Sequence, residues 1–127
     1  MADKHQEYLA AREKWVHEDQ LINHRLTWLL VSQTLLFAAY GALLQTPDDR
    51  PYFSKICQML PVIPALGIGV ALMLLLSIIS ACCALHILRK KTGFLLAVSD
   101  NTHFGGLIAP ILLPLFFVGA WAWILIL

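Results

Sequence analysis

Two long stretches of this chain carry no charge. Residues 56–88 and residues 104–127 contain no Asp, Glu, Lys or Arg. A helix needs about 20 consecutive apolar residues to cross the roughly 30 Å hydrocarbon core of a bilayer. Inside that core every backbone N–H and C=O must be satisfied within the protein, so helices are the natural form for such runs. Composition points the same way. Of 127 residues, 59% are hydrophobic and 13% are charged, about half the charge of an ordinary soluble domain. The pattern predicts an all-α integral membrane protein with membrane lipids as its surroundings.

A third apolar run precedes these two. Residues 1–40 contain neither Pro nor Gly, and the first breakers are Gly41 and Pro47. One unbroken helix is therefore predicted from about His5 to Gln45, on the order of 60 Å long. Only its second half, residues 26–45, is apolar enough for lipid. The first 25 residues are predicted to project from the membrane as an amphipathic helical extension. They carry no apolar core ahead of a small-residue cleavage site, so no signal peptide is expected.

The remaining boundaries follow from breakers and charge. T-P-D-D-R-P-Y-F-S-K, residues 46–55, reads as a turn-rich loop. The second span is placed within 56–88, with Pro61 and Pro64 near its start, where proline is tolerated. R-K-K at 89–91 is expected to end it, and the loop 89–103 follows, with F-L-L-A-V at 94–98 at the interface or extending a helix end. The third span is 104–127, where Pro110 and Pro114 predict a bend, and Trp121 and Trp123 fit an aromatic belt. Lys and Arg number four before the first span, two in the first loop, three in the second and none after the third. The positive-inside rule then puts the N-terminus and loop 89–103 in the cytoplasm, loop 46–55 outside, and the C-terminus outside.

Along the first helix, Tyr8, Trp15, Ile22, Leu26 and Leu29 share a narrow stripe at 100° per residue. Tyr8, Trp15, Ile22 and Leu29 are spaced by seven, the period of a left-handed helix–helix seam. An apolar stripe outside lipid needs a cover, and the short chain offers no soluble domain to supply one. Copies of the chain, an unidentified protein partner or the membrane surface remain. A surface-lying helix favours a Lys/Arg-rich polar face, whereas this segment has five acids and four bases, so self-association is expected. Arg12 and Asp19, seven residues apart at the stripe's edge, could pair between neighbouring helices or reach solvent.

Ser32, Gln33 and Thr34 interrupt the first span. Ser and Thr hydroxyls can return to the backbone one turn earlier. An amide in hydrocarbon costs several kcal/mol without partners, so Gln33 must meet another helix or water. It lines up with Trp15 and Leu26, with Phe37 and Tyr40 close by. Interhelical contact, pore lining and ligand binding all remain open to it. Small-residue spacings, including Ala65-x-x-x-Gly69, Gly67-x-x-x-Ala71 and Gly105-x-x-x-Ala109, permit close approach of helices.

Chemistry is harder to find. The net charge of +1 argues against nucleic acid as a partner. Cys57, Cys82 and Cys83 form no Cys-x-x-Cys pair and read as small apolar residues. No carboxylate, Lys or Arg lies within the spans, which removes the usual proton relay and voltage sensor. Glu13, His17 and His24 share a helix face but read as a solvated one, so no metal or cofactor is expected. Arg12-Glu13-Lys14-Trp15-Val16-His17 matches R-x(4)-H, the signature of the HEPN ribonuclease superfamily. That would make the chain a membrane-tethered ribonuclease, with His17 as acid/base and Arg12 stabilising charge. The pattern fixes two residues only, and the favoured reading is not an enzyme.

With R-x-x-W at 12–15 and N-H-R-L-T-W-L-L-V-S-Q at 23–33 in view, the chain resembles a group of small bacterial inner-membrane proteins. The matching segment covers residues 12–41. More loosely, it is similar to RipA-type octameric membrane proteins and to ring-forming CRISPR-associated membrane accessory proteins. The resemblance implies a bacterial inner-membrane location and a ring of helical subunits. Together these readings predict a homo-oligomeric, pore-like assembly, with a non-conducting scaffold or accessory subunit as the alternative.

Overall fold

The computed structural model describes residues 2–92 and 100–127, with side chains over 3–91 and 106–127. Four helices follow one another: α1 (Ala2–Leu44), α2 (Phe53–Met59), α3 (Val62–Thr92) and α4 (Asp100–Ile126). No strand occurs among the described residues. Three helices are long and apolar enough to cross a membrane: α1, the stretch running through α2 and α3, and α4.

The long first helix has the predicted extent to within three residues at its start. Proline and glycine are absent from residues 1–40 of the chain, so nothing interrupts the hydrogen-bond ladder there. Where the second span was placed as one run from residue 56, the chain instead breaks at Leu60 and Pro61, leaving the short α2 ahead of α3. Pro61 has no N–H to donate back to Cys57, which ends α2. Pro64 falls in the first turn of α3, where a missing donor costs nothing.

Arg89, Lys90 and Lys91 form the last turn of α3, where cations favour the negative end of the helix dipole. Helix α4 starts at Asp100, ahead of the expected residue 104, and runs through both Pro110 and Pro114. Residues 94–98 lie outside the described residues.

Helix α3 is the centre of the bundle, packing extensively against both α1 and α4, whereas α1 and α4 touch sparingly. Gln33 bonds to Gly67 and Arg25 to Ser77. A step back of eight residues along α1 thus matches a step forward of ten along α3, so the two helices run antiparallel. One cluster joins Ile22 of α1 to Ile78, Ala81, Cys82 and Leu85 of α3, with Trp15, Leu26, Leu107 and Ile111 packed around it.

Here the expectation of a stripe covered from outside the chain needs correction for part of the stripe. Ile22 is 3% exposed and Leu29 fully buried within one chain, while Tyr8 stays exposed, and Trp15 and Leu26 pack against the cluster around Ile22. The cover is the far end of α3. Its 31 residues span about 46 Å, some 15 Å more than a bilayer core requires, and the excess lies along the early turns of α1.

Candidate functional site

The most constrained place in the molecule lies where α1, α3 and α4 meet. Gln33 is fully buried. Its Nε2 donates to the backbone carbonyl of Gly67 at 3.1 Å. Its Oε1 accepts from the Trp121 indole Nε1–H at 2.6 Å. One side chain on α1 therefore holds a backbone carbonyl of α3 and an indole of α4. A primary amide suits this position because it donates at one end and accepts at the other. Glu would carry a charge into an apolar site, and Leu would leave the indole N–H without an acceptor.

Aromatic rings enclose the amide. Phe37, one turn after Gln33, stacks on Trp121 with ring centroids 4.0 Å apart and planes 10° from parallel. Tyr40 meets the same indole edge-on at 5.9 Å, and Phe37 also approaches Phe117 at 6.2 Å. Gln33, Phe37 and Tyr40 recur at helical spacing, so α1 presents all three to α4 along one face.

Gly67 makes the approach possible. A Cβ there would fall on the Trp121 indole, coming within 2.6 Å of Cε2 and onto Nε1 itself. The glycine is needed for space, and the gap it leaves is filled by the largest side chain available. Ala71, one turn on, is also fully buried. Gly69 faces open space, so it takes no part in this packing. Gly105 lies within α4 but outside the residues whose side chains are described.

The flanking polar residues satisfy themselves, as expected from their hydroxyls. Ser32 Oγ donates to the Leu29 carbonyl at 3.0 Å and Thr34 Oγ1 to the Leu30 carbonyl at 2.7 Å. Trp121 departs from expectation. It is fully buried and is no part of an interfacial belt, because its N–H is drawn inward to the Gln33 amide. Trp123, 66% exposed, keeps the outward position.

No protein-family model matches the chain, and searches of curated proteins and of solved structures return no match. Function must be argued from the residues alone.

The other sequence candidates are scattered. Tyr8, Arg12 and Asp19 are exposed. Arg12 and His17 line one shallow groove of about 310 Å³ with Leu9, Glu13, Val16 and Gln20. His24 lies in a neighbouring groove with Gln20, Asn23 and Thr27. Among the described residues no three His, Cys, Asp or Glu side chains gather closely enough to hold a metal ion. The larger groove, about 690 Å³, lies between the first turns of α1 and the end of α3, with Lys4, Lys14 and Lys91 around Ala11 and Leu88.

The sequence reading anticipated that Gln33 needs a partner and that Phe37 and Tyr40 are near it. It missed Trp121 and the carbonyl of Gly67. A signal was present for the glycine, whose spacing with Ala71 marks a close-packing face. None pointed to the indole, since a tryptophan near a span end ordinarily sits at the headgroups.

Proposed function

We propose that this chain is a three-span integral membrane protein that acts by association, as a non-conducting scaffold or accessory subunit rather than as a pore. The observation that carries this reading is the enclosure of Gln33. Gln33 is the span residue for which interhelical contact and pore lining were both open, and its amide is engaged at both ends inside one chain. Lining a water-filled lumen would leave this amide open to water, whereas it is fully buried and bonded to Gly67 and Trp121.

The resemblance to small bacterial inner-membrane proteins supports that location, and the distribution of Lys and Arg, seven against two, supports an orientation with the N-terminus and loop 89–103 in the cytoplasm. In that orientation the early part of α1, backed by the end of α3, forms a cytosolic projection. Its exposed Tyr8, Leu9 and Val16 would be the contact surface for another protein. Reconstitution into planar bilayers tests this: ion flux is expected to match lipid alone. A steady conductance that Gln33→Leu alters would return the pore reading.

Self-assembly is a second reading, favoured by the exposed seven-residue pair Arg12 and Asp19 beside Tyr8 and by the resemblance to ring-forming membrane proteins. Mass in mild detergent separates the two. A particle at a multiple of the 14.2 kDa chain supports a homo-oligomer, and a monomer that enlarges only with a co-purified protein supports the accessory subunit.

A further inference from the structure

We propose that the crease around Arg25, between α1 and α3, binds the phosphate headgroup of an anionic phospholipid. The proposal rests on the three-span reading. Arg25 is half-buried, and its Nη1 donates to the backbone carbonyl of Ser77 at 2.8 Å. That carbonyl orients the guanidinium without neutralising it. Among the described residues no carboxylate forms an ion pair with Arg25, and α3 contains no Asp or Glu. The nearest acids on α1, Glu18 and Asp19, lie seven and six residues away, outside the spacing that pairs side chains on one helix.

Depth makes the missing counter-charge important. The span that includes α3 begins ahead of it, at Phe53, and Arg25 lies 19 residues from the end of α1 at Leu44, about 28 Å along the axis. The guanidinium therefore stands where the roughly 30 Å of hydrocarbon gives way to headgroups. An arginine at that level reaches the headgroups directly, and without a protein carboxylate its natural counter-charge is a lipid phosphate. Arginine matches a phosphate with two parallel N–H···O bonds, and only one of its five donors is engaged by Ser77.

The surroundings fit a lipid better than a soluble anion. Leu21 and Ser32 of α1 and Val70 and Leu74 of α3 are half-buried like Arg25 and Ser77. On the helical wheel they flank the α1–α3 seam on the side away from Phe37 and Trp15, where α4 packs. On the bilayer side of the cation, Val70, Leu74 and Ser32, whose hydroxyl is turned back to the Leu29 carbonyl, leave a crease that an acyl chain below a headgroup would follow. The Lys4, Lys14 and Lys91 groove lies 11 or more residues further along α1, about 16 Å beyond this level, too far to share the headgroup.

The test uses the full chain, delipidated in mild detergent and given equimolar dioleoylphosphatidylglycerol and dioleoylphosphatidylcholine, with retained lipid counted by native mass spectrometry. Wild type is expected to favour the anionic lipid about fivefold, the scale for one arginine at an anionic surface. Arg25→Gln should bring the ratio close to one, Arg25→Lys should keep part of it, and Arg50→Gln, on the connection between α1 and α2, should leave it unchanged. Equal retention by wild type overturns the proposal even if Arg25→Gln does not fold. So does a preference that survives Arg25→Gln with unchanged helicity. Loss of self-association in Arg25→Gln without any lipid preference would assign the crease to a protein carboxylate and also overturn it. Alkaline carbonate extraction separates the underlying reading: a chain washed from membranes fails the three-span assignment, whereas one that stays and shows no lipid preference fails the lipid site alone.

Discussion

Near Ile22, α1 and α3 are joined by apolar side chains; near Gln33, eleven residues on, they are joined by an amide and a close backbone approach. On the three-span reading, the difference follows from the solvent around each region. Outside the bilayer, burying Ile22, Leu85 and Ala11 removes apolar surface from water, at roughly 25 cal/mol per Å². Inside it, a leucine is as well solvated by lipid as by another leucine, so apolar contact alone gives little reason for helices to associate. Small residues and hydrogen bonds must then do the holding, and Gly67, Gln33 and Trp121 supply both. One helix pair thus uses two kinds of cohesion along its length.

The largest effect should come from filling the space at Gly67. Gly67→Leu drives a side chain into the indole, and overpacking together with loss of the Trp121 bond is expected to destabilise by about 3 kcal/mol or more. Denaturant titration in detergent, followed by the fluorescence of Trp121 against the other tryptophans replaced by Phe, measures it. A stable Gly67→Leu variant with unchanged Trp121 emission would break the account of the three-helix junction.

Truncation in the projecting region comes next. Leu85→Ala, at a site 1% exposed, is expected to cost about 2–3 kcal/mol. Leu35→Ala, at a site 65% exposed that faces lipid on the three-span reading, should cost less than about 0.5 kcal/mol, as surface changes away from special features do. Equal costs at the two leucines would contradict the packing of Leu85 between α1 and α3, on which the apolar half of the contrast rests.

Gln33→Leu should be milder than its burial suggests, about 1–2 kcal/mol, because hydrogen bonds between membrane helices average well under that and the orphaned indole adds a desolvation term. A double-mutant cycle with Trp121→Phe isolates the pair. Coupling near zero would mean that the 2.6 Å contact holds nothing together. Thr34→Val is the smallest change. Its hydroxyl bonds only to its own helix at Leu30, so the same titration should move by less than about 0.5 kcal/mol.

Much of the architecture was readable in the residues. Uncharged runs are long enough to identify helices without any partner, and the absence of Pro and Gly over 40 residues makes α1 continuous. The self-satisfied Ser32 and Thr34 were also legible, because their partners lie one turn away on the same helix. The cover for the stripe could have been read from the 33 uncharged residues at 56–88, about a dozen more than a bilayer needs; the excess was visible, but its destination depended on how α3 folds back along α1. The partners of Gln33 were not legible. Gly67 is 34 residues away and Trp121 is 88, and no local spacing relates them.

The sequence by itself determined three helical runs apolar enough to cross a membrane and the continuity of α1, because backbone hydrogen bonding in an apolar surrounding leaves a single local solution for each run, while the break that sets α2 apart from α3 came with the structure. Only the tertiary structure decided whether the polar side chain inside α1 faced water or protein. Any of three helices and either register could in principle have answered an amide at that depth. The choice fell to the one arrangement in which a missing Cβ at Gly67 lets an indole reach it, and such a fit exists between helices rather than along any of them.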